Sequence, residues 1–219
     1  MEIQSSKENS KLHKRQAAKD SNGKLNGNVL VAIASSTGGP KALQEFLPML
    51  PANLNAPIVL TQHMPKGFTK AMSERLDSLS KVTVHEAAQG QVLEKGHVYI
   101  APGGFHLVFN KNIRKQVTTV LSDDPPVGTL KPCANVMLES LKNTPYDTIL
   151  CVVLTGMGED GTKGIMSLGE AKDIYVISQS RETCVVYGMP KAIAESGYSD
   201  EVLPLLSIAA RIEKLVGVQ

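Results

Sequence analysis

The chain has 219 residues, of which 42% are hydrophobic and 4% aromatic, and its formal net charge is +2. This length and composition suit one domain of ordinary size, and the small net charge gives no support for a nucleic-acid-binding protein. The three cysteines lack CxxC spacing and no apolar run approaches the ~20 residues that span a bilayer. We therefore expect a cytoplasmic protein with reduced thiols, no membrane insertion and no secretory signal.

Residues 1–28 differ in composition from the rest of the chain. They carry six Lys or Arg against three Asp or Glu and no aromatic residue, whereas residues 29–219 balance 17 against 18. A segment of this kind has too little apolar surface to form a core. We interpret residues 1–28 as a flexible basic tail or interdomain linker and residues 29–219 as the folded domain. A tail that binds nucleic acid or a membrane surface is the less favoured alternative.

Strand-like and helix-like patterns alternate along the folded domain. Runs typical of strands lie at 28–34, 56–63, 82–87, 97–102, 105–110, 113–122, 148–155 and 173–179. Helical patterns begin near Pro40, within the segment after Met64, at 133–143, after the GMGEDG loop, at 189–197 and at 203–217. The alternation predicts an α/β fold, with a doubly wound, mostly parallel sheet and helices on both faces. Tight turns within 97–122 predict an antiparallel hairpin appended to that sheet.

Three candidate catalytic residues each follow a predicted strand. Ser36 comes after NVLVAIA, His63 after APIVLTQ, and Asp160 after TILCVVLT. In open α/β sheets, ligands bind at the carboxyl ends of the strands. A serine, a histidine and an aspartate are the nucleophile, general base and orienting acid of a catalytic triad. These residues therefore form a candidate hydrolytic site.

The turn SSTGGP at residues 35–40 suits a nucleophilic serine. A sharp strand-to-helix turn lifts the serine oxygen clear of the sheet, and the helix start supplies N–H donors for an oxyanion. The same turn suits a phosphate, because a glycine-rich loop before a helix binds anions, and the pattern alone supports both hypotheses equally. Ser36 as a helix cap, His63 as a structural histidine and Asp160 as a first-turn acid are the structural alternatives.

The other polar motifs give weaker signals. His106 follows APGGF and is a candidate for the mouth of a site. The histidines and cysteines lack the spacing of zinc ligands, so we expect no metal site. The GMGEDG loop lacks both GxGxxG order and the Lys-Ser/Thr pair of nucleotide-binding loops. Asp123 and Asp124 precede two prolines, and we interpret them as solvated loop residues.

Five motifs together resemble one enzyme family. SSTGGP, TQHMPKGFT, VYIAPGG, LTGMGEDG and CVVYGMPKAI, in this order, are similar to the catalytic domain of the chemotaxis protein-glutamate methylesterases, over about residues 29–205. The resemblance implies a cytoplasmic bacterial hydrolase that acts in chemotactic adaptation, a form of signal transduction. Its substrates would be glutamate γ-methyl esters, and in many members also glutamines, in the helical cytoplasmic region of methyl-accepting chemoreceptors. The chemistry needs no metal or organic cofactor.

The resemblance also implies roles for individual residues. It places the nucleophile at Ser36, the base at His63 and the orienting acid at Asp160, within STGG, TQHMP and TGMGEDG. Thr37 and Met157 fall at positions that the family associates with the active site, and their backbone N–H groups are the first candidates for oxyanion donors. Possible residues of a substrate groove are Gln62, Met64, His106 and Lys131, with core packing as the equal alternative for the first two.

Two features depart from the family pattern. Where many relatives have a His-Arg-Pro-Ser-Val-Asp segment, this chain has Leu-Lys-Pro-Cys-Ala-Asn at residues 130–135. Lys131 cannot make the bidentate fork of an arginine, which bears on substrate affinity more than on chemistry. The family is usually preceded by a phosphoryl-accepting receiver domain, for which residues 1–28 are too few. The sequence predicts either a fragment cut at the interdomain linker or a stand-alone enzyme.

Two rival hypotheses remain beside the esterase. Two glycine-rich strand-to-helix turns are compatible with a phosphate- or nucleotide-binding module, in which Ser36 and Thr37 would hold phosphate. A receptor-docking domain without activity is the third hypothesis, and the intact set of Ser36, His63 and Asp160 argues against it.

Overall fold

A computed structural model describes residues 16–114 and 116–219. It contains a seven-stranded sheet formed by β1 (Val29–Ser35), β2 (Ile58–Gln62), β3 (Thr83–Glu86), β4 (His97–Ile100), β7 (Thr148–Val153), β8 (Asp173–Gln179) and β9 (Glu201–Leu203). The other two strands, β5 (His106–Lys111) and β6 (Val117–Ser122), form a separate antiparallel pair. Every neighbouring pair in the large sheet is parallel. β1, β2 and β7 are buried along their whole length, as is typical of strands covered on both faces.

Six α-helices among the described residues cover the two faces of the sheet. They are α1 (Gly39–Phe46), α2 (Phe68–Leu79), α3 (Ala134–Ser140), α4 (Thr162–Ala171), α5 (Met189–Glu195) and α6 (Leu205–Val216). The buried side chains of α1, α2 and α6 join one hydrophobic cluster, and those of α3, α4 and α5 join a second cluster on the other face. The predicted doubly wound α/β fold with helices on both faces is therefore confirmed.

The predicted hairpin is shorter than the sequence suggests. The prediction assigned the whole of 97–122 to an appended hairpin, but β4 pairs in parallel with β2 and β3 inside the large sheet. Only β5 and β6 form the antiparallel hairpin. Three of the four residues of β4 are buried, because this strand lies between two others. A short apolar strand does not reveal from its own pattern which neighbours it will have.

The strand order β3-β4-β2-β1-β7-β8-β9 reverses at β1. The chain passes from β1 to β2 and the strands beyond it on one side, and it later returns through β7, β8 and β9 on the other side. Such a reversal opens a crevice at the carboxyl ends of the central strands. The ends of β1, β2 and β7, which precede the three candidate catalytic residues, therefore lie side by side.

Part of the predicted tail packs on the domain. In residues 16–28, Ala17 and Leu25 are buried, and the backbone N–H of Ala17 donates to the carbonyl of Ile174 in β8 at 3.2 Å. Packing thus begins before the boundary that composition suggests. The rest of the predicted tail, residues 1–15, lies outside the described residues.

Candidate functional site

Hydrogen bonds between strand ends bring Ser36 and His63 together. In the parallel register, Ser35 of β1 lies opposite Gln62 of β2. The N–H of His63 then donates to the carbonyl of Ser35 at 3.1 Å, and the N–H of Ser36 donates to the carbonyl of Thr155, just beyond β7, at 3.0 Å. The loops after β1, β2 and β7 are therefore fixed to one another where they leave the sheet.

The structure separates the roles of the two adjacent serines. Ser35 is fully buried and its hydroxyl donates to Oε1 of Gln62 at 2.8 Å, whereas Ser36 is only half-buried. Gly38 adopts a left-handed conformation, with φ of 82°, directly before α1. A Cβ at Gly38 would lie 2.6 Å from Cβ of Val185, so this turn needs glycine for both conformation and space. The sharp turn leaves Ser36 at the surface of the site.

His63 and Asp160 form a buried hydrogen-bonded pair. Nε2 of His63 lies 2.7 Å from Oδ2 of Asp160, and the two side chains are 11% and 4% exposed. The carboxylate also accepts from four further donors: the N–H groups of Ala134 at 2.6 Å, Asn135 at 3.0 Å and Gly161 at 3.0 Å, and the thiol of Cys133 at 3.1 Å. Burial by itself would raise the pKa of Asp160, but its hydrogen bonds from His63, the two backbone N–H groups of α3 and the thiol outweigh burial and hold that pKa below its ordinary value.

This pairing determines which nitrogen of His63 is free to act as a base. Asp160 is ionised at neutral pH and an ionised carboxylate only accepts hydrogen bonds, so Nε2 of His63 carries the proton. Nδ1 of the neutral ring is then the nitrogen that can take a proton from a nucleophile. Among the described residues, no hydrogen bond yet joins the Ser36 hydroxyl to this ring, although both side chains line one cleft. Nucleophile–base contacts are often loose before substrate binds.

Two open clefts meet at His63. The first has a volume of about 440 Å³ and is lined by Ser36, Thr37, Gly38, Pro40, Gln62, His63, Met64, Pro65 and Phe68. The second has a volume of about 330 Å³ and is lined by His63, Met64, Pro65, Thr129, Leu130, Lys131 and Pro132. His63, Met64 and Pro65 belong to both linings. A side chain presented on the surface of another macromolecule can therefore reach Ser36 and His63 without entering a deep pocket.

Two backbone donors are free near Ser36. The described residues provide no hydrogen-bond acceptor for the N–H groups of Thr37 and Met157. Thr37 lines the first cleft, and its carbonyl accepts from the hydroxyl of Thr155 at 2.9 Å. Met157 is 74% exposed in the loop between β7 and α4. Gly156, beside it, lies so close to Ser36 that an added Cβ would be 2.9 Å from the Cβ of Ser36. Free N–H groups of this kind are suitable donors for an oxyanion.

The four predicted groove residues have different positions. Met64 lines both clefts, while Gln62 borders the first cleft but is only 1% exposed. Lys131 lines the second cleft, and its ammonium lies 2.8 Å from Oδ1 of Asp123. The structure does not bring His106 to either cleft, because its ring is buried in β5 and Nε2 donates to the carbonyl of Pro125 at 3.1 Å.

The structure adds Asn135 and Cys133, whose roles the sequence pattern does not reveal. Oδ1 of Asn135 accepts from the N–H groups of Gly161 at 3.0 Å and Gly164 at 2.7 Å, which lie at the start of α4. Asn135 thus joins the start of α3, which holds Asp160, to the start of α4. Burial and the charge of Asp160 raise the pKa of the Cys133 thiol to about 11, so it stays protonated and donates to Asp160 at neutral pH. One indication in the sequence pointed to these two residues: both lie in the segment 130–135, which departs from the family pattern.

The described residues contain neither a membrane-spanning helix nor a cluster of metal ligands. No helix in this part of the chain is both long and apolar enough to cross a bilayer. Across residues 16–114 and 116–219, no group of three or more His, Cys, Asp or Glu side chains is arranged to hold a metal ion.

Comparison with known proteins identifies similar chains. The family model described as CheB methylesterase matches residues 31–212. Curated proteins named protein-glutamate methylesterase/protein-glutamine glutaminase are 45% identical over 188 residues in Geobacillus kaustophilus and 43% identical over 191 residues in Bacillus subtilis. These alignments cover 86% and 87% of this chain but 54% and 53% of the relatives. The chain therefore spans about half the length of the curated relatives it matches.

A solved structure is similar over nearly the whole of its own length. The crystal structure of the Thermotoga maritima CheB methylesterase catalytic domain matches with a TM-score of 0.78 and 43% identity. The match covers 86% of this chain and 98% of that one.

Proposed function

Since the chain belongs to the CheB methylesterase family, we propose that it hydrolyses glutamate γ-methyl esters in proteins and also deamidates protein glutamines. Its relatives in Geobacillus kaustophilus and Bacillus subtilis are named for both reactions. The observation that carries the proposal is the buried His63–Asp160 pair, with 2.7 Å between Nε2 and Oδ2, in the cleft that Ser36 lines. Such a pair activates a hydroxyl nucleophile beside it.

The proposed reaction begins with acylation of Ser36. Its hydroxyl oxygen attacks the γ-carbonyl carbon of the substrate side chain while Nδ1 of His63 takes the proton. Nδ1 then returns this proton to the departing methoxide, which is too basic to leave unaided, and methanol is released. Asp160 keeps the ring in the Nε2–H tautomer and stabilises the imidazolium. For a glutamine substrate, the same proton goes to the leaving nitrogen and ammonia is released.

Water completes the cycle. It attacks the acyl-enzyme carbonyl as Nδ1 of His63 accepts its proton. As the second tetrahedral intermediate collapses, Nδ1 returns that proton to the oxygen of Ser36, which frees glutamate and restores the Ser36 hydroxyl. The N–H groups of Thr37 and Met157, which have no acceptor among the described residues, are the proposed donors to both oxyanions.

The open shape of the clefts supports a protein substrate. We propose that the substrate side chain projects from a helix of the cytoplasmic region of a chemoreceptor, and that the enzyme acts in the cytoplasm. The exposed ring of Phe68 and the exposed side chain of Met157 flank the site and are available to contact such a helix. We also propose that a receiver domain is a possible partner of this catalytic domain.

The phosphate-binding hypothesis has less support. It leaves the 2.7 Å hydrogen bond between His63 and Asp160, beside the cleft that Ser36 lines, without a function. The free backbone N–H of Thr37 resembles a donor of an anion site, but it serves an oxyanion equally well.

Methanol release from receptor membranes tests the proposed function. The chain is incubated with receptors carrying labelled methyl esters, and Ser36→Ala is expected to lower kcat by about 10⁴–10⁶. Ser78→Ala, an exposed serine on α2, is the matched control and keeps the wild-type rate. A Ser36→Ala protein that releases methanol at the wild-type rate, or a folded wild-type chain that releases none from several receptors, would contradict the proposal.

A further inference from the structure

Gln62 contacts the backbone of both proposed catalytic residues. Its side chain is 1% exposed, and Nε2 lies 3.0 Å from the carbonyl oxygen of Ser36 and 3.0 Å from that of His63. Oε1 lies 2.8 Å from the hydroxyl of Ser35. Carbonyl oxygens only accept hydrogen bonds, so both amide N–H groups donate and Oε1 is the acceptor. Every polar group of this buried amide therefore has a partner.

The bond to Ser36 also determines the direction of the next N–H group. The carbonyl of Ser36 and the N–H of Thr37 belong to one planar trans peptide, in which the two groups point in opposite directions. The carbonyl is directed inward by two donors, Nε2 of Gln62 and the N–H of Gly39 at 2.8 Å. The N–H of Thr37 consequently points away from Gln62, and Thr37 lines the cleft beside Ser36.

We propose that Gln62 is a positioning residue that aims the N–H of Thr37 at the oxyanion formed on the substrate of Ser36. This inference rests on the proposed esterase function. Its bond to the carbonyl of His63 links the same side chain to the base, whose N–H already donates to Ser35. One buried amide thus couples the turn that carries the nucleophile to the residue that carries the base.

The glycine at position 39 supports this assignment. A Cβ on Gly39 would lie 2.0 Å from Oε1 of Gln62 and 3.0 Å from Cβ of Ser35, so any side chain here displaces the amide and crowds the serine that donates to it. Gly39 has no left-handed φ, and alanine is compatible with the start of α1. Gly39→Ala therefore disturbs Gln62 without changing Gln62 itself, and it provides a second test should Gln62→Met destabilise the fold.

Kinetic measurements separate a positioning role from a purely structural one. Loss of one oxyanion donor costs about 10²–10³ in kcat, so a misdirected donor should cost about 10–100-fold. We expect this decrease in kcat for Gln62→Met and Gly39→Ala, with KM changed less than about threefold, because the donor acts chiefly in the transition state. The pH at which kcat/KM is half-maximal should stay the same, since the His63–Asp160 bond is untouched.

The experiment combines methanol release with labelling of Ser36 by a fluorophosphonate, whose phosphoryl oxygen occupies the oxyanion position. Labelling of both variants should slow by about the same 10–100-fold factor. Gln91→Met, the same replacement in a loop away from both clefts, is the control with wild-type rates. Melting temperatures establish that each variant is folded.

The two readouts distinguish the inference from the proposed function. Wild-type rates of labelling in folded Gln62→Met and Gly39→Ala would overturn the inference, as would a loss that appears only in KM. Rapid labelling of the wild type without methanol release would contradict the esterase proposal, while slower labelling of the variants would still support the role of Gln62. No labelling of the wild type would overturn both.

Discussion

Replacement of Asp160 by asparagine removes one acceptor from a carboxylate that has five donors. Oδ1 accepts from Asn135, Gly161 and Cys133, and Oδ2 accepts from Ala134 and His63. The new amide group must replace one of these oxygens. It should occupy the Oδ2 position, because the oxygen retained at Oδ1 then satisfies three donors instead of two.

The predicted orientation reverses the tautomer of the base. The amide of Asp160→Asn would donate to Nε2 of His63, so the ring proton moves to Nδ1, where the hydroxyl of Ser36 needs an acceptor. A wrong tautomer of this kind lowers kcat by about 10⁴, which corresponds to about 5.5 kcal/mol of transition-state stabilisation. In the wild type the N–H of Ala134 donates to Oδ2 at 2.6 Å. An amide NH₂ group in that position cannot accept this hydrogen bond. That unsatisfied donor costs about 1–3 kcal/mol in the free energy of unfolding.

Three measurements on one variant check this reasoning. Methanol release gives kcat, urea unfolding gives stability, and two-bond ¹H–¹⁵N NMR correlations of the His63 ring report which nitrogen carries the proton. Glu159→Gln, the same chemical change on an exposed neighbouring side chain, is the matched control and should stay within twofold of the wild-type rate. If Asp160→Asn retained the wild-type rate, or lost activity while keeping the Nε2–H tautomer, the proposed role of the pair would be wrong.

Three further predictions concern the surroundings of Asp160 and the second cleft. The folded-state pKa of Asp160 is lowered, so its ionised form stabilises the protein above its ordinary value of 3.8, and this contribution is lost as pH falls from 3.8 through the folded-state pKa. The difference in unfolding free energy between wild type and Asp160→Asn should therefore shrink in acid. Urea unfolding measured from pH 6 to pH 3 checks this, and a difference that stays constant over that range would contradict the prediction. Cys133→Ala removes a thiol donor and should raise the folded-state pKa of Asp160 toward 3.8, so the loss of stability in acid should be smaller and should end at a higher pH. Cys133→Ser keeps a donor and should resemble the wild type in the same titration. Lys131→Met breaks the contact with Asp123 beside the second cleft and should raise KM more than it lowers kcat; steady-state kinetics showing only a kcat effect would reject a role in substrate binding.

Local pattern was sufficient to predict the fold class but not all strand partners. Apolar runs of five to seven residues such as those of β1 and β7, separated by amphipathic segments, predict a parallel sheet because such strands are covered on both faces. β4 was assigned to the wrong pairing because its four residues have the same apolar character in a hairpin and in a sheet centre. The three-residue β9 has no signal of its own and depends on β8 for its hydrogen bonds.

For the candidate site too, the sequence predicted some features and could not predict others. Motif order and the position after each strand were enough to single out Ser36, His63 and Asp160, whose catalytic roles stay predictions. Sequence could not show that Gln62 lies beneath the site instead of projecting from it. The sequence also could not show that the carboxylate of Asp160 accepts hydrogen bonds from residues 133–135.

The sequence by itself determined the alternation of strands and helices, the family and the three residues that follow β1, β2 and the β7 segment. Only the tertiary structure decided that Ser35 is buried while Ser36 opens to a cleft, which nitrogen of His63 faces Asp160, and which donors hold Asp160. The physical reason is that these contacts join groups far apart in the chain, such as His63 and Asp160, which are separated by 97 positions. Strand register and helix packing set the distances and directions of such hydrogen bonds, and local residue patterns carry no information about either.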